Sequence, residues 1–85
     1  MGAKILIIDD DPVNIDLLGY LLRAFSYEPL IALGGEQALQ VAASDVPDLI
    51  LCDIQMPDMN GFEVLRRLRA DPRFAALLRD VNAQR

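Results

Sequence analysis

The sequence predicts an α/β domain in which a parallel sheet carries helices on both faces, and three observations lead to it. Three short apolar runs, residues 4–9, 29–33 and 48–53, alternate with stretches of helical periodicity. The first and third runs are continuously apolar, the pattern of strands buried on both sides rather than half exposed. The length of 85 residues, 53% of them hydrophobic, supplies one small core and leaves no room for a second domain.

The elements follow in order. Residues 4–9 give the first strand, which ends in Asp9 with Asp10 and Asp11 directly behind it. Asp11-Pro12 suits a helix start: the Asp11 carboxylate serves as N-cap, and Pro12 has no N–H to lose at the first helical position. Val13, Leu17, Leu18, Leu21, Leu22 and Phe25 then recur at helical spacing, with Asp16, Tyr20 and Arg23 on other faces. After the second strand, Gly34-Gly35 breaks the chain before a small helix over residues 36–43. Pro47 opens the third strand and Asp53 closes it. A loop over residues 54–59 leads to Asn60-Gly61-Phe62-Glu63, a capping box for a helix through Ala70 that Asp71-Pro72 stops. Residues 73–85 read as a weak, short helix or a loose tail, so the domain is expected over residues 1–72.

Composition removes several chemistries. The chain has no His and no Thr, one Lys, one Cys and two Ser. His-based acid–base work, His/Cys zinc sites and a Ser-His-Asp triad are therefore excluded. Cys52 cannot form an intramolecular disulfide, which fits a reducing compartment, and no apolar run approaches the length of a membrane span. A cytoplasmic protein without membrane contact is expected. Charge is uneven: residues 1–60 carry a net −8 and residues 61–85 a net +3. Arg66, Arg69 and Arg73 share a helical stripe, read as a solvated face rather than a nucleic-acid site because no aromatic residues interleave.

In parallel α/β sheets, ligands sit at the carboxyl ends of strands where the strand order reverses. If the first and third strands are neighbours, Asp9, Asp10 and Asp53 converge there. Three like charges in one small volume want a hard divalent cation with oxygen ligands, and magnesium fits best. A carboxylate beside such an ion can act as nucleophile toward phosphorus and give an aspartyl phosphate. Helix capping accounts for Asp11 but leaves this trio unexplained. Cys52 reads as a small hydrophobe in a strand, and Met56 and Met59 as loop packing. Asp9-Asp10-Asp11-Pro12-Val13 also fits the D-x-D-x-V nucleophile motif of haloacid dehalogenase-like phosphatases, though the chain is short for that family.

Ile5-Leu6-Ile7-Ile8-Asp9-Asp10-Asp11-Pro12, followed by Asp48-Leu49-Ile50-Leu51-Cys52-Asp53-Ile54-Gln55-Met56-Pro57-Asp58-Met59-Asn60-Gly61, resembles the receiver domain of bacterial two-component response regulators over roughly residues 4–74. The resemblance implies a flavodoxin-like, three-layer α/β/α fold with strand order 2-1-3, here with about three βα units where the family has five. It implies Asp53 as phosphoacceptor, and Asp9, Asp10, Asp53 and the Gln55 main-chain carbonyl around Mg2+. Met56, Pro57 and Gly61 would shape the loop. The donor would be a phosphohistidine on a sensor histidine kinase or histidine phosphotransferase, so the domain is an acceptor rather than an enzyme.

The family's Ser or Thr on a fourth strand and Lys on a fifth have no counterpart here, and the chain reads as a C-terminally truncated receiver. Lys4, the one Lys, opens the first strand five residues from Asp9, roughly 16 Å away at strand rise. Slow or absent phosphorylation is expected, with a phosphorylation-independent interaction module as the alternative. A 2-1-3 order also makes the third strand an edge bearing Leu49, Ile50, Leu51 and Cys52. A homodimer or a heteromeric partner is expected to cover it, unless residues 74–81 do.

Overall fold

The run Ile5-Leu6-Ile7-Ile8 forms the central strand of a three-stranded parallel sheet in a computed structural model that describes residues 2–53 and 57–72. The elements are β1 (Lys4–Ile8), α1 (Pro12–Ala24), β2 (Glu28–Ala32), α2 (Gly35–Asp45), β3 (Leu49–Cys52) and α3 (Gly61–Arg69). The strand order is β2-β1-β3, so the chain crosses over once from β2 past β1 to β3. Each βαβ crossover places a helix against the sheet, and the order reversal opens a crevice between β1 and β3 at their carboxyl ends.

Alternation along β1 divides the core between the two faces. Leu6 and Ile8 point into a cluster with Ala32, with Ala38 and Ala42 of α2, and with Val64 and Leu68 of α3. Ile50 and Cys52 of β3 and Met59 pack against the same cluster. Ile5 and Ile7 serve the other face, which α1 covers; Ile7 lines a cleft there with Leu18 of α1 and Leu51 of β3. Leu6, Ile7 and Ile8 are fully buried, as a central strand sandwiched between helices requires.

Local signals place the helix ends. Asp11 is the N-cap of α1, its Oδ1 accepting from the Val13 N–H at 3.0 Å, with Pro12 in the first turn. Asn60 caps α3, its Oδ1 accepting from the Glu63 N–H at 2.9 Å. The capping box is only half made. The Glu63 carboxylate turns to Arg66 and Arg67 on its own helix, because two guanidinium donors outcompete one main-chain N–H. Arg67 also reaches Glu36 of α2 at 3.6 Å. Of the expected arginine stripe, Arg66 and Arg69 are exposed on α3, Arg66 paired with Glu63, and Arg73 lies outside the described residues. α2 ends at Val46, whose φ of 45° places it in the left-handed region, and Pro47 follows.

One expectation about α1 is corrected. The helix is present, but Val13, Leu17, Leu21 and Phe25 are exposed, and the residues turned inward are Ile15 and Gly19, flanked by half-buried Leu18 and Leu22. α1 packs on β2 along the Ile15–Gly19 line, which leaves the neighbouring apolar stripe in solvent. Residues 73–85 lie outside the described residues.

Candidate functional site

Register brings the acidic residues together. Ile8 of β1 stands opposite Cys52 of β3, and the ladder runs one step further: the Asp53 N–H donates to the Ile8 carbonyl at 2.8 Å, while the Asp9 N–H donates to the Ala32 carbonyl at 3.1 Å. Asp9 and Asp53 therefore leave adjacent strands at the same level, and Asp10 follows Asp9. One carboxylate oxygen from each of Asp9, Asp10 and Asp53 lies within 4.8 Å of the others.

Asp9 is the buried member, 8% exposed. A buried carboxylate needs donors, and it has two: the Asp11 N–H donates to Oδ1 at 3.0 Å and Asn14 Nδ2 donates to Oδ2 at 3.3 Å. These fix the plane of the carboxylate. Asp10 is exposed and Asp53 half-buried. Asp9 and Asp53 edge a cleft of about 250 Å³ whose walls include Asn14, Leu18, Leu51 and Cys52. Burial first, then the charges of Asp53 and Asp9, push the Cys52 thiol up to about 11. Its S–H donates to the Asp53 carbonyl at 3.3 Å. Cys52 is accordingly a protonated, half-buried packing residue, as its setting in a strand predicts.

The donor set is entirely oxygen, and the one sulfur nearby keeps its proton. That suits a hard divalent ion and disfavours zinc or copper. Receiver domains bind Mg2+ in an acidic pocket, and this aspartate cluster fits it. Among the expected loop residues, Pro57 is exposed and Gly61 is buried at the start of α3. Gln55 and Met56 lie outside the described residues. Met59 packs on the core, as expected. Lys4 sits at the far end of β1, its N–H donating to Asp48 Oδ2 at 2.7 Å and its Nζ to the Asp45 carbonyl at 3.3 Å. Asp11, the third aspartate of the phosphatase-type motif, is occupied as the α1 cap.

Two residues of the site's surroundings escaped the sequence reading. Asn14 stands on the first turn of α1, where its spacing from Asp9 could have signalled a donor. Asp58 accepts from the Gly35 N–H at 3.1 Å and the Glu36 N–H at 3.2 Å. No local sequence signal reports a contact across that separation.

The fold and the aspartate cluster together define a phosphoacceptor domain of the response-regulator type, and comparison with known proteins agrees. The model of the response regulator receiver domain family matches residues 5–78, and the chain belongs to that family. It is 49% identical over 72 residues to the response regulator PleD of Caulobacter vibrioides, covering 85% of this chain and 16% of PleD. The chemotaxis response regulator CheY4 of Vibrio cholerae superposes with a TM-score of 0.88 at 30% identity, covering 91% of this chain and 64% of that one. TrrA of Thermotoga maritima, solved in complex with Mg2+ and BeF, superposes with a TM-score of 0.79 at 38% identity, covering 85% and 62%. The chain spans less than two thirds of the length of each of these relatives.

The domain is therefore a receiver of two-component signal transduction. Receiver domains accept a phosphoryl group from histidine kinases or phosphotransfer proteins and are not in themselves enzymes. No helix among the described residues is long and apolar enough to cross a membrane.

Proposed function

We propose that Asp53 is the phosphoacceptor of this receiver, with Asp9, Asp10, Asp53 and the Gln55 main-chain carbonyl holding Mg2+. The observation that carries this is the register of β1 against β3, which brings one carboxylate oxygen from each of the three residues within 4.8 Å of the others. An Asp53 oxygen attacks the phosphorus of a partner's phosphohistidine. The phosphorus–nitrogen bond breaks, and its electron pair stays on the imidazole, which takes up a proton. Mg2+ supplies neutralisation of the charge on the phosphoryl oxygens. Asp9 and Asp10 concentrate negative charge for that ion, and the donors on Asp9 keep its carboxylate from rotating away. Met56, Pro57 and Gly61 shape the loop behind the site. The partner is a cytoplasmic sensor histidine kinase or histidine phosphotransferase.

β3 is an edge strand among the described strands, and Leu49 and Leu51 are each 37% exposed on it. This strand is where a second copy of the chain, or another protein, pairs with the domain.

Titration with Mg2+ and beryllofluoride, watched by NMR, tests the site without the partner kinase. Amide resonances at Asp9, Asp10 and Asp53 shift saturably in the wild-type chain, and the beryllofluoride response is lost in Asp53→Asn. An unchanged spectrum at millimolar Mg2+, or a beryllofluoride response that survives in Asp53→Asn, overturns the assignment. TrrA, solved with Mg2+ and BeF, supports the choice of probe.

A further inference from the structure

Helix α1 carries apolar side chains on the face turned away from the sheet. With Ile15 packed inward, Val13, Leu17 and Tyr20 are 72%, 56% and 70% exposed, and Ala24 is exposed one turn further on. At about 3.6 residues per turn these four fall within a stripe about 60° wide, on the side of α1 opposite Ile15. Their spacing of four, three and four residues is that of a seam between two packed helices. Single exposed apolar residues are ordinary, whereas a continuous stripe marks a contact surface.

Charge decides what the stripe fits. Asp16 and Arg23 flank it on one side, and Asn14 and Leu21 on the other. Asp16 and Arg23 are both exposed, and neither makes an ion pair among the described residues. Two turns separate them along the same edge, a rise of about 10 Å, which is too far for them to pair within one helix.

We infer that α1 is a self-pairing surface, on which the same stripe of a second copy of this chain packs antiparallel about a two-fold axis. With the axis between Leu17 and Tyr20, Leu17 of each copy meets Tyr20 of the other and Val13 meets Ala24, so one apolar stripe covers itself. In that register Asp16 of each copy faces Arg23 of the other, and two symmetry-related ion pairs close one flank. Parallel pairing would instead set Asp16 beside Leu21 of the second copy and leave both charges without a partner. The stripe is complementary to itself in one orientation only.

The contact is separate from pairing at the β3 edge, because α1 packs on β2, at the opposite edge of the sheet. It is also independent of the Mg2+ reading. A helix of 13 residues is about 20 Å long, so the surface it buries belongs to the weak, transient class, below about 1,200 Å² in total. Association through α1 is expected at about 100 μM to 1 mM.

The test uses the full chain carrying Leu51→Lys, which puts a charge on β3 and removes edge pairing, so that α1 is read alone. As concentration rises from about 20 μM to about 1 mM, amide resonances at Leu17, Tyr20 and Leu21 shift. Isotope-filtered NOEs in a mixed labelled sample join Leu17 to Tyr20, and Val13 to Ala24, of another molecule. Leu17→Lys abolishes the shifts. Asp16→Arg weakens association by about 10-fold, since both ion pairs turn into repulsions. It does so although the net charge goes from −5 to −3, which lessens the general repulsion between copies. Adding Arg23→Asp to Asp16→Arg restores the net charge and the original affinity. All these positions are exposed, and circular dichroism checks that each variant is folded.

An α1 spectrum that does not change with concentration overturns self-pairing and leaves the stripe to a different protein. Concentration-independent NOEs from residues 74–81 of the same molecule to Leu17 and Tyr20 overturn it in favour of the chain's own C-terminal segment. NOEs from Val13 to Val13 of another molecule, or a double variant that fails to regain affinity, overturn the antiparallel register.

Discussion

Replacing Asp10 with Asn should make the metal-free protein more stable while weakening its response to Mg2+. Three carboxylate oxygens lie within 4.8 Å of one another, and at that separation each pair repels by about 0.9 kcal/mol in water. The same pair costs about 3.5 kcal/mol at an effective dielectric of 20. Asp10 is exposed, so the aqueous figure governs, and relief from its two neighbours totals about 2 kcal/mol. Removing one negative charge from a chain of net charge −5 acts in the same direction. With a urea slope of about 1 kcal/mol per molar, the unfolding midpoint rises by up to about 2 M. The assay is urea unfolding followed by circular dichroism, in chelator and again in millimolar Mg2+. Mg2+ stabilises the wild-type chain in proportion to the logarithm of its concentration over Kd, and does so less for Asp10→Asn, so the gap between the two proteins closes as Mg2+ is added. A variant less stable than wild type in chelator, or one that gains as much from Mg2+ as wild type does, refutes the reasoning.

Acid should act through Glu63, whose carboxyl is pulled down from 4.5 to about 2 by hydrogen bonds and charge from Arg66 and Arg67. A lowered folded value means that its contribution is fully present above about pH 4.5 and is lost as pH falls toward 2. Glu63→Gln should therefore melt below wild type at pH 7 and with it at pH 2; parallel melting curves at both pH values would contradict this. The edge of β3 gives a separate test: the wild-type chain sediments as a dimer at micromolar concentration, and Leu51→Lys, which puts a charge on that edge, sediments as a monomer. A monomeric wild type refutes pairing with a second copy.

The strands and their terminal aspartates were legible because they obey local rules. An apolar run buried on both faces has no alternation to misread, and a carboxylate at its end has no packing reason to be there. The pairing of β1 with β3 was not local, and it entered through the resemblance that Asp9-Asp10 and the Met56-Pro57 loop carry. Helix α1 shows where periodicity stops. Val13, Leu17, Leu21 and Phe25 make as good an apolar stripe as Ile15, Leu18 and Leu22, and only the docking onto β2 decides which one is covered. Glu63 illustrates a different gap. Its spacing from Asn60 satisfies the capping-box rule, yet the arginines three and four residues on offer a charged partner that the rule does not weigh. The bonds from the Gly35 and Glu36 N–H groups to Asp58 needed three-dimensional proximity, since they join a loop side chain to groups that another element supplies.

The single ladder bond from the Asp53 N–H to the Ile8 carbonyl gives the domain a form of proofreading. Sliding β3 by one residue against β1 would turn Ile50 and Cys52 away from the cluster around Leu6 and Ile8, and would bring Leu49 and Leu51 inward in their place. The same slip would carry the Asp53 side chain to the opposite face of the sheet from its present one. A molecule that mispairs its strands therefore loses its buried contacts and its acidic site in one movement. Selection for a well-packed β3 is at the same time selection for a correctly assembled phosphoacceptor pocket, and a misregistered chain is disarmed as a signal carrier by the error that destabilises it.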